Sequence, residues 1–129
     1  MRGELNGYHL ADVLRQTWNR YQIPMMITET SARRDVNGRT QWMDETITAV
    51  ATIRAEGVPV VGYTWFPMIT MIDWEYRRNE KPVGDYLLHL GLWDSAFDKN
   101  GILQRQATPL VETYRRYIAQ GSPELAEES

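Results

Sequence analysis

The chain has 129 residues, of which 43% are hydrophobic and 24% charged, so its size and composition predict one soluble globular domain. Its net charge of −3 argues against nucleic acid or an anionic membrane as a partner, because both require a basic face. The chain lacks cysteine, which excludes disulfides and thiol chemistry, and it shows no signal peptide, so we expect a cytoplasmic protein.

An amphipathic helix is predicted from Tyr8 to Tyr21, with Asn6 or Gly7 near its cap. Its apolar residues recur at three- and four-residue steps, which predicts that they face a core. These residues are Leu10, Val13, Leu14, Trp18 and Tyr21.

The run from Ile23 to Ser31 is apolar and then changes abruptly to a carboxylate at Glu29. Pro24 disfavours helix at the residue before it, and a short apolar run of this length predicts a strand buried on both faces. The polar stretch from Thr30 to Gly38 is predicted to be a loop.

A second helix is predicted from about Arg39 to Glu56, ending at Gly57, with Trp42 in the core and Glu45 in solvent. The valine-rich run Val58–Trp65 follows and predicts another fully buried strand. Because a helix separates the two strands, we expect a right-handed parallel βαβ unit.

Residues 66–92 show no clear periodicity and predict a long functional or mobile loop. A small hairpin is expected from Gly91–Asp94 and Ile102–Leu103, with an Asn-Gly turn at residues 98–101. Thr108 and Pro109 begin a last helix that ends at Gly121, and the acidic residues 122–129 are expected to be disordered. The predicted buried stripe of this helix is Leu110, Val111, Tyr114, Tyr117 and Ile118.

The element order predicts an α/β fold in which helices pack on a parallel sheet. Chemistry in such sheets lies at the carboxyl ends of the strands, which makes Glu29 the first candidate site residue. Two strands and three helices leave both edges of the sheet unpaired, so we expect the chain to be part of a larger assembly.

The motifs themselves resemble the C-terminal part of family-1 glycoside hydrolases, the β-glucosidase-like (β/α)8 barrels. The resemblance covers about residues 8 to 120 and implies the C-terminal quarter of a TIM barrel: helix, strand seven, helix, strand eight, long loop, hairpin, helix. Residues 1–121 would then be a partial barrel domain. The residues that carry the resemblance are Ile27-Thr28-Glu29-Thr30-Ser31, Gly38-Arg39, Trp42, Gly57–Trp65, Phe66-Pro67, Asp73-Trp74 and Gly91-Leu92-Trp93-Asp94.

By this resemblance the chain is part of a retaining β-glycosidase that hydrolyses O-glycosidic bonds of a carbohydrate substrate. Glu29 matches the nucleophile, Trp65 the platform under the sugar, and Asp73 and Trp74 a pair that binds sugar hydroxyls. The pair departs from the family in having Asp for Glu and a spacing from Trp65 of eight residues, where seven is common. Thr30-Ser31 stands where the family has Asn-Gly, and the general acid/base has no counterpart, so the chain alone is expected to be inactive.

Two other functions remain open from the sequence. One is a non-catalytic carbohydrate-binding or interaction module with a stacking surface of Trp65, Trp74 and Trp93, and the other is a small α/β domain that dimerises through its open strand edges. The expected partners are the N-terminal part of the barrel or a second copy.

The remaining charged residues predict little chemistry. His9 and His89 lack metal-ligand spacing, so they are predicted to lie at the surface or at helix caps, or in the case of His89 near the sugar, and no metal or cofactor is expected. Arg33-Arg34 and Arg77-Arg78 are predicted to be solvated loop charges, with the phosphate of a 6-phosphoglycoside as a possible ligand.

Overall fold

The computed structural model describes residues 6–121, and the acidic segment 122–129 with its predicted disorder lies outside the described residues. Helices and strands alternate through the first half, and short strands fill the second. The elements are α1 (Leu10–Tyr21), β1 (Met25–Thr30), α2 (Val36–Ala55), β2 (Val60–Trp65), β3 (Met71–Ile72), β4 (Leu87–Leu88), β5 (Trp93–Phe97), β6 (Leu103–Ala107) and α3 (Leu110–Gly121).

The strands β1 and β2 pair in parallel through the crossover helix α2, which confirms the predicted βαβ unit. Their register pairs Ile27 with Tyr63 and Thr30 with Trp65, so both strands end at the same edge. Within residues 6–121 this sheet has two strands, and both of its outer edges are open.

The helix α2 lies between α1 and α3 and packs against both. Two clusters of buried side chains lie under these helices, and Trp18 and Trp42 pack against them as predicted. The first cluster contains Leu14, Ile27, Val50, Ile53, Val58 and Val60, and the second contains Met43, Trp65 and Leu110.

The prediction that both strands are buried on both faces is wrong. Met26 in β1 is 55% exposed and Val61 in β2 is 72% exposed, because helices cover only one face of the sheet among the described residues. The helical stripes are also only partly buried: Val13, Tyr21 and Ile118 are about half exposed, against prediction.

Helix α2 begins at Val36 and not at Arg39, because Asp35 caps it by accepting a hydrogen bond from the Gly38 N–H at 2.7 Å. Gly57 ends the helix with a φ of +88°, a left-handed conformation that suits glycine. The segment predicted as a loop before this helix is therefore shorter than expected.

The segment 66–92 is not one irregular loop. It contains β3 and β4, which pair with each other, and two 3-10 turns at Trp74–Arg78 and Val83–Tyr86. The hairpin of β5 and β6 is longer than predicted, and Gly101 takes a φ of +74° in its turn. No helix in the described range is long and apolar enough to cross a membrane.

The last helix begins as predicted. The Thr108 hydroxyl accepts a hydrogen bond from the Leu110 N–H at 3.2 Å and donates one to the Leu92 carbonyl at 2.7 Å. The cap thus also attaches α3 to the segment that leads into β5.

Candidate functional site

Glu29 lies at the carboxyl end of β1, one residue before the pair formed by Thr30 and Trp65. Its side chain is exposed and makes no hydrogen bond or ion pair with any other residue in the range 6–121. The Phe66 N–H donates to the Thr30 carbonyl at 3.1 Å and extends the strand pairing past Glu29. The carboxylate therefore stands free on a rigid strand end.

Trp42 fixes the end of β1 from the side of α2. Its indole Nε1–H donates to the Thr30 hydroxyl at 3.0 Å, and the Arg34 guanidinium lies 5.8 Å from the centre of its ring. Thr30, the residue that departs from the family pattern, thus has a structural partner of its own. This contact anchors the backbone next to Glu29.

Trp65 is only 5% exposed and packs against Met43 and Leu110 in the second core cluster. Its Nε1–H donates to the Leu90 carbonyl at 3.0 Å. In this arrangement the indole offers little ring surface to a ligand, and its one donor is already used. Its role as a sugar platform stays a prediction, while its packing role is visible.

Asp73 and Trp74 lie in the segment that follows β2. The Asp73 carboxylate accepts a hydrogen bond from the Glu75 N–H at 3.0 Å, and one of its oxygens is 3.8 Å from the Arg33 guanidinium. Trp74 is 74% exposed, with the Arg77 guanidinium 5.4 Å from its ring. The ion pair between Arg33 and Asp73 therefore brings together the loops that follow the two strands.

Arg39 is a positioning residue that the sequence analysis did not identify. It is 1% exposed, donates to the Gly91 carbonyl at 2.7 Å and pairs with the Asp94 carboxylate. Its signal in the sequence is its position four residues before Met43, which places both side chains on the buried face of α2.

Glu45 was predicted to be solvated, and this prediction is wrong because the side chain is only 6% exposed. Its carboxylate accepts hydrogen bonds from the Gly7 N–H at 2.7 Å and from Gln41 at 2.8 Å. The 3-10 turn before α1, which the sequence did not reveal, covers this part of α2 and removes Glu45 from water.

The two histidines are far from each other, as predicted. His9 closes a reciprocal cap with Asn6, and exposed His89 lies 3.0 Å from the Thr70 hydroxyl and 3.7 Å from Asp94. No group of three or more metal-ligating side chains occurs within residues 6–121. The arginines at 33, 34, 77 and 78 are exposed, as predicted.

A cavity of about 590 Å³ lies between α2, β2 and α3, away from Glu29. Its walls include Val61, Tyr63, Tyr117 and Ile118. The Tyr63 hydroxyl lies 2.7 Å from the Thr46 hydroxyl, and burial raises the pKa of Tyr63 above its ordinary value. Burial also raises the pKa of Tyr117 to about 12, aided by the hydrogen bond that it donates to Asp44.

The architecture is that of a barrel glycosidase. The β-glycosidase of the hyperthermophile Thermosphaera aggregans superposes with a TM-score of 0.72 and 20% identity, over 96% of this chain and 24% of that chain. An aphid myrosinase gives 0.70 and 18% over 92% and 26%, and a GH1 β-glucosidase from Exiguobacterium antarcticum B7 gives 0.65 and 18% over 88% and 25%.

These structures confirm the predicted resemblance to family-1 glycoside hydrolases at the level of the fold. The chain spans about a quarter of the length of the enzymes it matches, as a partial TIM barrel would. No protein-family model and no curated protein sequence matches the chain.

Proposed function

We propose that this chain supplies the last two βα units of a retaining β-glycosidase barrel and that Glu29 is the nucleophile. The observation that carries the proposal is the position of Glu29, an exposed and unpaired carboxylate at the carboxyl end of a strand in a glycosidase fold. Catalytic side chains of such barrels lie at this end of the strands.

The chemistry accounts for the surroundings of Glu29. A retaining enzyme attacks the anomeric carbon with one carboxylate while a second carboxylic acid, about 5 Å away, protonates the leaving oxygen. A nucleophile must be ionised, and an exposed carboxylate without an acidic neighbour bonded to it satisfies this requirement. The acid, in this proposal, comes from a strand outside the described residues.

Trp42 and Thr30 would serve the nucleophile as positioning residues. Their hydrogen bond holds the strand end from the helix layer, and the parallel pairing with β2 holds it from the other side. Asp73 and Trp74 remain candidates for contacts with sugar hydroxyls, since the Arg33–Asp73 pair keeps their loop beside the loop after Glu29.

The proposal is tested with 2,4-dinitrophenyl 2-deoxy-2-fluoro-β-D-glucoside, whose leaving group needs no acid. The chain is assayed alone and in complex with the remaining strands of the Thermosphaera aggregans barrel, and the labelled residue is found by peptide mass spectrometry. We expect Glu29 to carry the fluoroglucosyl group in the complex, and Glu29→Gln to abolish labelling. Glu112→Gln, an exposed substitution on α3, is the matched control. Labelling at another carboxylate would refute the assignment.

A second candidate is a non-catalytic carbohydrate-binding surface, favoured by the 74% exposure of Trp74 with Tyr76 and Phe66 also exposed nearby in the chain. Exposed aromatic rings bind the C–H faces of sugars. Titration with cellobiose separates the two functions, because binding by the chain alone that survives Glu29→Gln but is lost in Trp74→Ala would support the second candidate.

A further inference from the structure

The exposed apolar side chains of this chain are concentrated at the open edges of the two-stranded sheet. Met26 and Val61 lie on the strands themselves, Val13 lies on α1, and Ile118 lies on α3. All four were expected in a core from their spacing in the sequence. Their exposure indicates that a further layer of structure covers them.

The helix layer is wider than the sheet below it. Neighbouring strands are about 4.8 Å apart, whereas packed helices are about 8–10 Å apart. With α2 in the middle, α1 extends past the free edge of β1 and α3 extends past the free edge of β2. Each outer helix is thus placed to cover a strand that this chain does not supply in the described range.

Second copies of the chain do not satisfy this geometry. Four copies would supply eight strands, but each copy brings three helices for two strands, whereas the barrel has one helix for each strand. Where two copies met, α3 of one and α1 of the next would need the same position over the joined edges. The helix count therefore excludes a closed ring of this chain.

We propose that the open edges bind a polypeptide segment of six parallel strands and five helices that begins and ends with a strand. Its first strand pairs with β2 beneath α3, and its last strand pairs with β1 beneath α1. Eight strands and eight helices then close, and the parallel pairing of β1 with β2 continues around the ring. This inference rests on the barrel fold and not on the catalytic role of Glu29, so the two proposals can fail separately.

The cavity beside β2 is where the first strand of the partner would insert. Val61 and Ile118 line it, together with the rings of Tyr63, Tyr114 and Tyr117, so it accepts apolar side chains. The free N–H and C=O groups of β2 provide the hydrogen bonds for an added strand, the recognition mode known as β-augmentation.

The test uses two segments of the Thermosphaera aggregans β-glycosidase co-expressed with this chain: strands one to six with the five helices between them, and the same segment extended by its sixth helix. Reassembly of each segment with the matching remainder of its own barrel validates it as a probe. Native mass spectrometry measures stoichiometry, and hydrogen exchange measures protection of the β1 and β2 amides.

We expect a 1:1 complex with the five-helix segment and at least about tenfold weaker binding of the extended segment, because its extra helix competes with α1. Equal or tighter binding of the extended segment, no complex with either validated segment, or a closed tetramer of the chain alone would each overturn the proposal.

A surface variant makes the location specific. Val61→Asp places a charge in the cavity at a side chain that is 72% exposed, so the free chain keeps its fold while binding falls at least about tenfold. Ile102→Asp, 58% exposed at the hairpin turn, is the matched control and should bind normally. Equal binding by both variants would place the partner elsewhere.

Discussion

Arg39 and Asp94 form a two-point ion pair: Nη1 donates to Oδ1 at 2.8 Å and Nη2 donates to Oδ2 at 3.0 Å. The pair joins the first turn of α2 to β5, across 55 positions of sequence. Because Arg39 also donates to the Gly91 carbonyl, one buried side chain holds the hairpin and the end of the 66–92 segment against the βαβ unit.

Removing Asp94 should therefore destabilise the chain strongly. Asp94→Ala leaves a guanidinium buried without its counter-ion, and we expect the free energy of unfolding to fall by about 2–4 kcal/mol. Urea unfolding followed by circular dichroism measures the change. Asp85→Ala, an exposed aspartate, is the control and should change it by less than about 0.5 kcal/mol. Equal effects of the two substitutions would contradict the importance of the pair.

Glu45 should contribute through its attachment of the N-terminal turn. In Glu45→Ala the buried Gly7 N–H loses its acceptor, so we expect a loss of about 1–3 kcal/mol and faster hydrogen exchange at Gly7 and Tyr8. Glu112→Ala, on the exposed side of α3, should change neither quantity. Unchanged exchange at Gly7 in the Glu45 variant would show that another contact holds the turn.

Trp65 and Trp74 should respond in opposite ways to truncation. Trp65→Ala removes a core side chain and should cost about 3–5 kcal/mol, whereas Trp74→Ala, at a ring that is 74% exposed, should cost less than about 0.5 kcal/mol. Trp65→Phe keeps most of the packing but leaves the Leu90 carbonyl without its donor, so an intermediate loss is expected. A Trp65→Ala variant as stable as the unsubstituted chain would show that this ring is not part of the core.

Tyr117 predicts a loss of stability at alkaline pH. Its pKa is raised to about 12 in the folded chain from an ordinary value of 10.0, chiefly by burial and also by its hydrogen bond to Asp44. Above pH 10 the unfolded chain releases this proton while the folded chain retains it, so stability falls as the pH rises from 10 towards 12. Tyr117→Phe should make the decrease in urea midpoint over this range shallower.

The buried Tyr63 titrates in the same direction, so part of the alkaline decrease will remain in the Tyr117→Phe variant. Tyr76→Phe, at a ring that is 47% exposed, is the control for removal of a tyrosine hydroxyl. A slope unchanged in Tyr117→Phe but shallower in Tyr76→Phe would contradict the assignment.

The sequence was sufficient for the features that depend on local pattern. Apolar runs, glycine and proline positions and helical spacing predicted the βαβ unit, the end of α2 at Gly57 and the capped start of α3 at Thr108. The motif order also predicted the glycosidase-like fold, which the structural matches confirm. The role of Glu29 as nucleophile stays a prediction.

Tertiary structure alone decided which side chains are buried, because burial depends on what lies opposite a face and not on the spacing along the chain. Glu45 is buried by a 3-10 turn 38 residues earlier, and Arg39 by a hairpin more than 50 residues later. Val13 and Val61 have the pattern of core residues but remain exposed, since no element within residues 6–121 covers them. The sequence thus determined the elements and their order, while long-range packing determined which of their faces meet.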